Sequence, residues 1–467
     1  MLALVGGIVF AQDAPALKIE AAFDAIWIPF QYVSKSVPDG AKYKDISLMG
    51  AGLGRDSQSQ GPRFSLFISG GNQYIGFQVN PVFLLNQNQH VSTANTGGTA
   101  PTADDHVFSG WRDDAHVWAK PFGDDMLKIY AGVYNDNTLR GKITDYWFKN
   151  FTTGNENGDQ IFSRFRGQGY NTGAQSSANA GVLLISKPIP ELYIGVNFPG
   201  LASFGADDPA DTQLSEVVKY NNGLNEFSRV YKNTQIGVGY TIKDIGLARV
   251  QFLGGHPRLT SGVVDRSPRF EAAFAVDGPI PGLLLDIGGK VPLPVNGNSV
   301  VTWGGADDGW VNLNPGTVYD EWSKLDLQEK YTASIGFRYR MTVGDIKDDF
   351  EFMGRIDTKF GGYVKYDGDV VGETDKKTFE LNAHIWPSYN LGFAIIGFDF
   401  GIYMNQVEKQ DPRFGAGLWL QKNFGNSNNF IRGGLAYSHG SEGWPAAGGK
   451  NKTDMMFSIP IEFQSRF

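Results

Sequence analysis

The side chains best suited to chemistry are acidic pairs scattered along the chain. Consecutive aspartates occur at Asp104-Asp105, Asp113-Asp114, Asp124-Asp125, Asp207-Asp208, Asp307-Asp308 and Asp348-Asp349. Such pairs supply the oxygen ligands that Ca²⁺ prefers, and carboxylates also serve in acid–base catalysis. Solvated loop and turn charge is the simpler interpretation, because nothing in the spacing brings one pair to another.

Other catalytic signatures are missing from the sequence. The six His are scattered and Cys is absent, so no zinc framework is formed. Neither a His-Glu-x-x-His motif nor a Gly-x-Ser-x-Gly nucleophile motif occurs. Gly288-Gly289-Lys290 lacks the spacing of a phosphate loop and favours strand and turn. We therefore expect no catalytic residue, no metal site and no cofactor.

Composition narrows the class of protein. The chain has 467 residues and a formal net charge of -8, without a run of Lys or Arg, so nucleic acid is not an expected partner. Mean hydropathy is below zero and no run of about 18 apolar residues occurs, which argues against a helical membrane protein. Sixty Gly and 13% aromatic residues suit a closed β-sheet instead. Closure satisfies the backbone without disulfides.

The first eleven residues differ from the rest of the chain. They carry no charge, Leu2 to Phe10 are largely apolar, and Val9 and Ala11 stand at the -3 and -1 positions of a cleavage site. This pattern predicts the remnant of a signal peptide over 1–11, without its basic n-region. A buried N-terminal strand is the alternative. Residues 12–467 are then one domain.

Apolar and polar residues alternate over much of that domain. The end of the chain is the clearest case, because one parity holds Met455, Phe457, Ile459, Ile461, Phe463 and Phe467. Alternation of this kind predicts β-strands with one apolar and one wet face. On this basis Phe274 and Leu418 should face lipid, and Arg340 and Glu351 should face water. Alternation alone also fits a soluble sandwich.

The links between the alternating segments favour a membrane barrel. Short turns are predicted near 70–72, 121–125, 188–190, 243–245, 278–281, 344–348, 387–389 and 423–428. Longer polar links are predicted near 31–62, 86–110, 136–177, 200–233, 293–328, 361–375 and 439–451, with shorter ones near 256–267 and 405–411. Tight periplasmic turns and long outer loops are the asymmetry of outer-membrane barrels. With strands from 17–30 to 452–467, we predict an all-β antiparallel barrel of about 18 strands, with 16 as the alternative, around an aqueous lumen.

The last strand carries a family resemblance. Its sequence, Phe457-Ser-Ile-Pro-Ile-Glu-Phe-Gln-Ser-Arg-Phe467, resembles the C-terminal signature of bacterial outer-membrane β-barrels. The resemblance implies that Phe463 and Phe467 are recognised by the barrel-assembly machinery. Pro460 departs from a usual strand interior and predicts a bulge or a site without a ladder hydrogen bond. The chain as a whole, including its Ala-Gln cleavage region, resembles porin-like proteins of spirochaetes. A porin would lie in the outer membrane of a diderm bacterium, in contact with lipid, and by analogy as a homotrimer.

The same resemblance directs attention to segment 136–177, the third long outer loop. In general porins that loop narrows the lumen, and opposed charges there would form a transverse field that admits small polar solutes. The predicted constriction residues are Asp136, Arg140, Lys142, Asp145, Glu156, Asp159, Arg164 and Arg166. The predicted lumen wall is Arg112, Lys128, Arg338, Arg340, Glu351, Arg355 and Asp357. A solvated external loop is the alternative, and the mixed signs of the wall leave the ion selectivity open.

Three functions remain open at this stage. The first is passive diffusion of small hydrophilic solutes through a water-filled porin. The second is a channel specific for sugars or oligosaccharides, with a stacking track formed by Trp111, Trp118, Trp147, Trp386 and Trp419. The third is an adhesin or surface-structural barrel that acts through its long loops. A barrel enzyme would need a converging nucleophile or acid pair, which the sequence does not offer.

Overall fold

A computed structural model of the protein describes most of the predicted barrel domain. The described residues are 16–36, 42–53, 63–84, 107–136, 138–139, 165–166, 181–198, 234–254, 258–260, 263–265, 267–296, 324–370, 379–405, 412–439 and 452–467. The predicted signal remnant, 1–11, lies outside them. Within these residues no helix has the length and apolar character needed to cross a membrane.

Strands account for nearly all of the described chain. The first fourteen are β1 (Ala16–Ser36), β2 (Lys42–Leu53), β3 (Arg63–Gly71), β4 (Ile75–Leu84), β5 (Val107–Ala119), β6 (Leu127–Val133), β7 (Asn135–Asp136), β8 (Phe165–Arg166), β9 (Gly181–Ile189), β10 (Leu192–Phe198), β11 (Gln235–Ile242), β12 (Gly246–Leu253), β13 (Arg258–Thr260) and β14 (Val263–Asp265).

The remaining strands continue to the end of the chain. They are β15 (Arg269–Asp277), β16 (Leu283–Pro292), β17 (Val295–Asn296), β18 (Leu325–Gln328), β19 (Tyr331–Met341), β20 (Phe350–Phe360), β21 (Tyr363–Tyr366), β22 (Asp369–Val370), β23 (Glu380–Ile385), β24 (Ser388–Asn390), β25 (Ile395–Asn405), β26 (Arg413–Phe424), β27 (Asn426–His439) and β28 (Lys452–Arg466).

The main sheet is an antiparallel barrel that closes on itself. Each strand pairs with the next one along the wall, and β28 pairs back with β1. The sheet contains 20 strands, but β2 and β3 occupy one position beside β1, and β23 and β24 occupy one position beside β20. The wall therefore has 18 positions, which confirms the predicted fold class and strand number.

The seam of the barrel is tied at the C-terminus. Phe467 and Ala21 exchange two backbone hydrogen bonds, of 2.8 and 3.0 Å. Further along the seam, the pairing register of β1 with β28 shifts between Trp27 and Phe30, opposite Pro460. The irregularity predicted from Pro460 is present, because proline has no N–H to donate to the ladder.

Short turns occupy one end of the barrel, and longer links the other. The turns follow β3, β5, β9, β11, β15, β19, β24 and β26, and most match the predicted positions. The prediction near 387–389 is wrong: Ser388 and Tyr389 belong to β24. The turn is closed at Leu391, whose N–H donates to the Ala394 carbonyl at 2.8 Å. The preceding Pro387 interrupts the ladder without reversing the chain.

The predicted long loop over 31–62 is also wrong in part. β1 continues to Ser36, and β2 pairs with it from Lys42 to Leu53. The polar residues of this stretch suggested a loop because they do not alternate with apolar ones. The hairpin of β1 and β2 is instead stabilised by the pairing of the two strands. Links near 256–267, 293–328 and 361–375 likewise contain short strands, which form two small sheets of their own.

The wall alternates between an apolar outer face and a polar inner face. On β26, Leu418 and Leu420 are 49% and 48% exposed, whereas Trp419 and Gln421 between them are only 9% and 8% exposed. The same pattern holds on β15, where Phe270 is exposed, Glu271 is buried, and Phe274 shares the parity of Phe270. Apolar side chains facing out and polar ones facing in are the pattern of a barrel surrounded by lipid.

Candidate functional site: the inner face of the barrel

The inner face carries buried ion pairs, within one strand and between a strand and an adjoining link. Two-residue alternation points charged side chains inward, and antiparallel pairing places opposite charges side by side. Lys290 Nζ lies 2.8 Å from Glu329 Oε1, whose other oxygen accepts from the Ser267 N–H at 2.9 Å. Arg269 Nε lies 2.8 Å from Glu271, which also accepts from the Gln251 side chain. These groups satisfy one another in a setting where an unpaired charge would be costly.

Most of the predicted lumen-wall residues lie on this face. Arg340 and Glu351 form an ion pair between β19 and β20. Arg355 Nε lies 2.6 Å from Asp357, which also accepts a hydrogen bond from Ser334. Lys128 and Arg338 share the inward parity of β6 and β19. Arg112 belongs to β5, but its side chain lies outside the described residues.

The predicted constriction segment, 136–177, is described only at 136, 138–139 and 165–166. Asp136 pairs with Phe165, and Asn135 pairs with Arg166, in the small sheet formed by β7 and β8. The other six predicted constriction residues, Arg140, Lys142, Asp145, Glu156, Asp159 and Arg164, lie outside the described residues.

The first residues of that segment contact the inner face of the wall. Tyr134 donates a hydrogen bond to the side chain of Asn197, and Tyr193 donates one to the carboxylate of Asp136. Arg249 Nη1 donates to the Leu139 carbonyl at 3.4 Å and forms an ion pair with Asp286. Because the wall partners lie on the inward parity of β10 and β12, Tyr134, Asp136 and Leu139 lie inside the barrel.

A small apolar core holds the segment there. Its buried members are Tyr134, Leu139, Leu183, Ile185 and Tyr193. Leu139 lies over Gly239, where an added Cβ would meet its side chain. Sequence reasoning missed this core, although a signal was present: Val182 to Ile185 form a continuous apolar run, and such a run indicates a strand that is buried on both faces.

The tryptophans predicted to form a sugar track are engaged with the wall. Trp419 packs on Gly397, donates to Asp399 at 3.2 Å and lies 5.1 Å from the Arg432 guanidinium. Trp118 packs on Gly76, and the Lys128 ammonium lies 4.8 Å from its ring centroid. Trp386 is 3% exposed. None of these three rings presents a free stacking face, and the side chains of Trp111 and Trp147 lie outside the described residues.

Two short turns carry ordered carboxylates. Asp349 accepts hydrogen bonds from the backbone N–H groups of Val343, at 2.7 Å, and Gly344, at 2.6 Å. These donors hold the pKa of Asp349 below its ordinary value. Lys120 lies 2.6 Å from Asp125 and lowers the pKa of that carboxyl in the same way. Both acids are structural parts of the turn end of the barrel.

Comparison with known proteins adds structural likenesses only. No family model matches the chain, and no curated protein sequence matches it. An anion-selective porin from Comamonas acidovorans shares 10% identity, with 97% of this chain and 100% of that chain covered and a TM-score of 0.44.

Two further solved structures are similar to the same extent. Pseudomonas aeruginosa OpdK with vanillate shares 10% identity, with 96% of this chain and 99% of that chain covered and a TM-score of 0.43. A BenF-like porin from Pseudomonas fluorescens Pf-5 shares 10%, with 97% and 98% covered and a TM-score of 0.45. At these values the likeness adds nothing to the barrel that the strand pairing itself establishes.

Proposed function

We propose that this protein is an outer-membrane porin, a water-filled channel for passive diffusion of small hydrophilic solutes. One observation carries the proposal: a closed barrel of 18 wall positions has exposed apolar side chains outside and paired charges inside. A barrel of this strand number is wide enough to leave an aqueous channel. The residues then act by setting width and field, without reacting with the solute.

The outer face supports placement in a lipid bilayer. Exposed apolar residues such as Phe270, Leu418 and Ile356 lie on the outward parity of separate strands. In the proposed assembly route, the machinery that inserts outer-membrane barrels recognises the C-terminal strand through Phe463 and Phe467. Both side chains are exposed, at 36% and 77%, which leaves them open to such recognition. A homotrimer remains a proposal by analogy with other porins.

Segment 136–177 is proposed as the constriction of this channel. Its described base, 134–136 and 138–139, lies against the inner wall, which gives the rest of the segment a starting point inside the lumen. The charges proposed to line the narrow region are those named above, from Asp136 to Arg166. Little water screens ions at such a point, so these charges would act strongly on a passing solute.

Conductance in a planar lipid bilayer tests the proposal. Protein refolded in detergent should insert and give discrete open-channel steps in KCl, and its mobility on a gel should change on boiling. Proteoliposomes should swell in small sugars but not in large dextrans. Refolding can be checked independently by a β-rich circular dichroism spectrum.

The alternatives predict other outcomes in the same assays. A folded, membrane-inserted protein without conductance would overturn the porin proposal and leave a sealed surface barrel. Block of the current by maltose-like oligosaccharides at low concentration would instead indicate a sugar-specific channel. Since the three described inward tryptophans are engaged with the wall, we expect no such block.

A further inference from the structure

The inner face is not electrically balanced at its turn end. Along the described wall, inward carboxylates have a Lys or Arg within ion-pair distance: Glu20, Glu271, Asp286, Glu329, Glu351, Asp357, Glu380 and Glu462. Asp399 accepts from Trp419, and Asp136 from Tyr193. Lys128 and Arg338, in turn, form no ion pair with a carboxylate among the described residues, and their closest contacts are aromatic or apolar.

Lys128 is held in place without being neutralised. Its ammonium lies 4.8 Å from the ring centroid of Trp118 and 4.5 Å from that of Tyr130. An aromatic face attracts a cation through its quadrupole but carries no net charge. The two rings therefore fix the position of the positive charge on the inner face and leave its field to act in the lumen.

Arg338 has an equally apolar setting. Its strand neighbours are Leu284 on β16 and Met353 on β20. These two residues pack with Trp386 in a small apolar cluster on the inner face. The Nε atom of Arg338 is buried without a hydrogen-bond partner. The inward carboxylates diagonal to Arg338 on these two strands, Asp286 and Glu351, form ion pairs with Arg249 and Arg340 instead.

The two cations lie at the same end of the barrel on separated walls. Lys128 is the second residue of β6, just after a short turn, and Arg338 is three residues before the end of β19, just before another. At about 3.3 Å per residue, both lie within roughly 10 Å of the turn rim. Along the wall, β6 and β19 are the fifth and twelfth of 18 positions, so the cations face each other across much of the lumen.

The charges near Lys128 do not cancel it. Lys187 on the adjacent β9 shares the inward parity and adds a second positive charge. Asp125 pairs with Lys120 at 2.6 Å, and Asp124 caps the Met126 N–H at 3.0 Å on the exposed turn. Asp125 and Asp124 are thus engaged on the turn, and the third acid close enough to act on Lys128, Asp136, accepts a hydrogen bond from Tyr193.

We infer that Lys128 and Arg338 form an anion-selective ring at the turn-end mouth of the lumen. This inference rests on the proposed channel function and deepens it by naming the favoured solutes, which are small anions such as chloride and carboxylate-bearing or phosphate-bearing molecules. Two fixed cations that form no ion pair raise the local concentration of anions and lower that of cations.

Reversal potentials across a KCl gradient test this assignment. The wild-type channel should favour chloride over potassium. The double variant Lys128→Gln/Arg338→Gln should lower that permeability ratio by roughly twofold or more at about 0.1 M salt, where the Debye length is about 10 Å. The charge-reversed variant Lys128→Glu/Arg338→Glu should favour potassium.

A matched pair of lysines provides the control. Lys243 and Lys347 are exposed on short turns at the same end, so Lys243→Gln/Lys347→Gln removes two charges without touching the inner face. This control should leave the ratio unchanged. The wild-type preference should also weaken at about 1 M salt, where the Debye length is about 3 Å, a measurement that needs no variant.

The outcomes distinguish failure of the anion-selective ring from failure of the proposed porin function. A folded wild type without conductance overturns both. Three outcomes overturn the ring alone, provided that the wild type conducts. The first is a wild-type preference for potassium, and the second is a permeability ratio that does not change in the Lys128→Gln/Arg338→Gln channel. The third is an equal shift of that ratio in the turn control. A ratio that moves only with Lys128 and Arg338 supports it.

Discussion

At the residue scale, the effect of each inward charge depends on whether it forms an ion pair. Arg249 is 2% exposed and depends on Asp286, since a buried ion without a partner costs several kcal/mol. The sequence predicted which residues point inward, because parity alone sets direction. It did not predict most partners, because the register between strands fixes which charges meet.

Asp349 gives a pH-dependent prediction at this scale. Its carboxylate accepts from the Val343 and Gly344 N–H groups, which lowers its folded pKa. A depressed carboxyl pKa stabilises the fold above the unfolded value of about 3.9, and this stabilisation is lost as pH falls through the lower folded pKa. Asp349→Asn should therefore lower the Tm in detergent at pH 7, and the gap from wild type should close near pH 2.

Asp348 provides the matched control for that measurement. It is the preceding residue, exposed, with a positive φ of 55° that Asn also tolerates. Asp348→Asn removes the same charge from the same turn and should leave the Tm nearly unchanged at both pH values. Equal losses in the two variants would mean that net charge, and not the turn hydrogen bonds, sets the stability.

At the element scale, the sequence predicted the wall better than its connections. Alternation with strong outward residues, as in Leu418 and Leu420, located strands correctly. It failed at β2, whose polar residues are ordered by pairing with β1, and at Pro387, which interrupts a strand without making a turn. It also missed the apolar core under residues 134–139, since packing inside a lumen follows no surface pattern.

Contact between strands at Gly397 gives the second prediction. Trp419 on β26 packs against Gly397 on β25, and an added Cβ would overlap its ring. The ring would have to move away from Asp399, its hydrogen-bond acceptor. Gly397→Ala should therefore cost about 1 to 3 kcal/mol of unfolding free energy, the usual cost of overpacking, and should shift the tryptophan fluorescence.

Gly433 on β27 is the control for this substitution. A Cβ there would meet Ile461 at 3.8 Å and the Pro460 carbonyl at 3.9 Å, which is ordinary contact. Gly433→Ala should be close to neutral in urea unfolding. If both substitutions destabilise the barrel equally, loss of glycine as such is responsible, and the fit of Trp419 on Gly397 is not.

At the scale of the whole molecule, the wall and the inner segment have separate tasks. Eighteen wall positions close the backbone ladder, so stability resides mainly in the strands. Residues 134–136, 138–139 and 165–166 add little to that ladder, but they occupy space inside it. Width should therefore be adjustable without loss of the fold.

Deletion of residues 142–162 tests that separation. The base of the segment keeps its contacts in this variant: Tyr134 with Asn197, Tyr193 with Asp136, and the Leu139 carbonyl with Arg249. If the removed residues narrow the channel, single-channel conductance should rise while the Tm stays near that of wild type. Deletion of a similar length from another long link, 205–225, should leave conductance unchanged. Unchanged conductance after the first deletion would place segment 136–177 outside the conducting path, and its charges would be surface charges.

Neutralising Arg140, Arg164 and Arg166 together should raise cation preference in the full-length channel, because ions pass close to these charges where little water screens them.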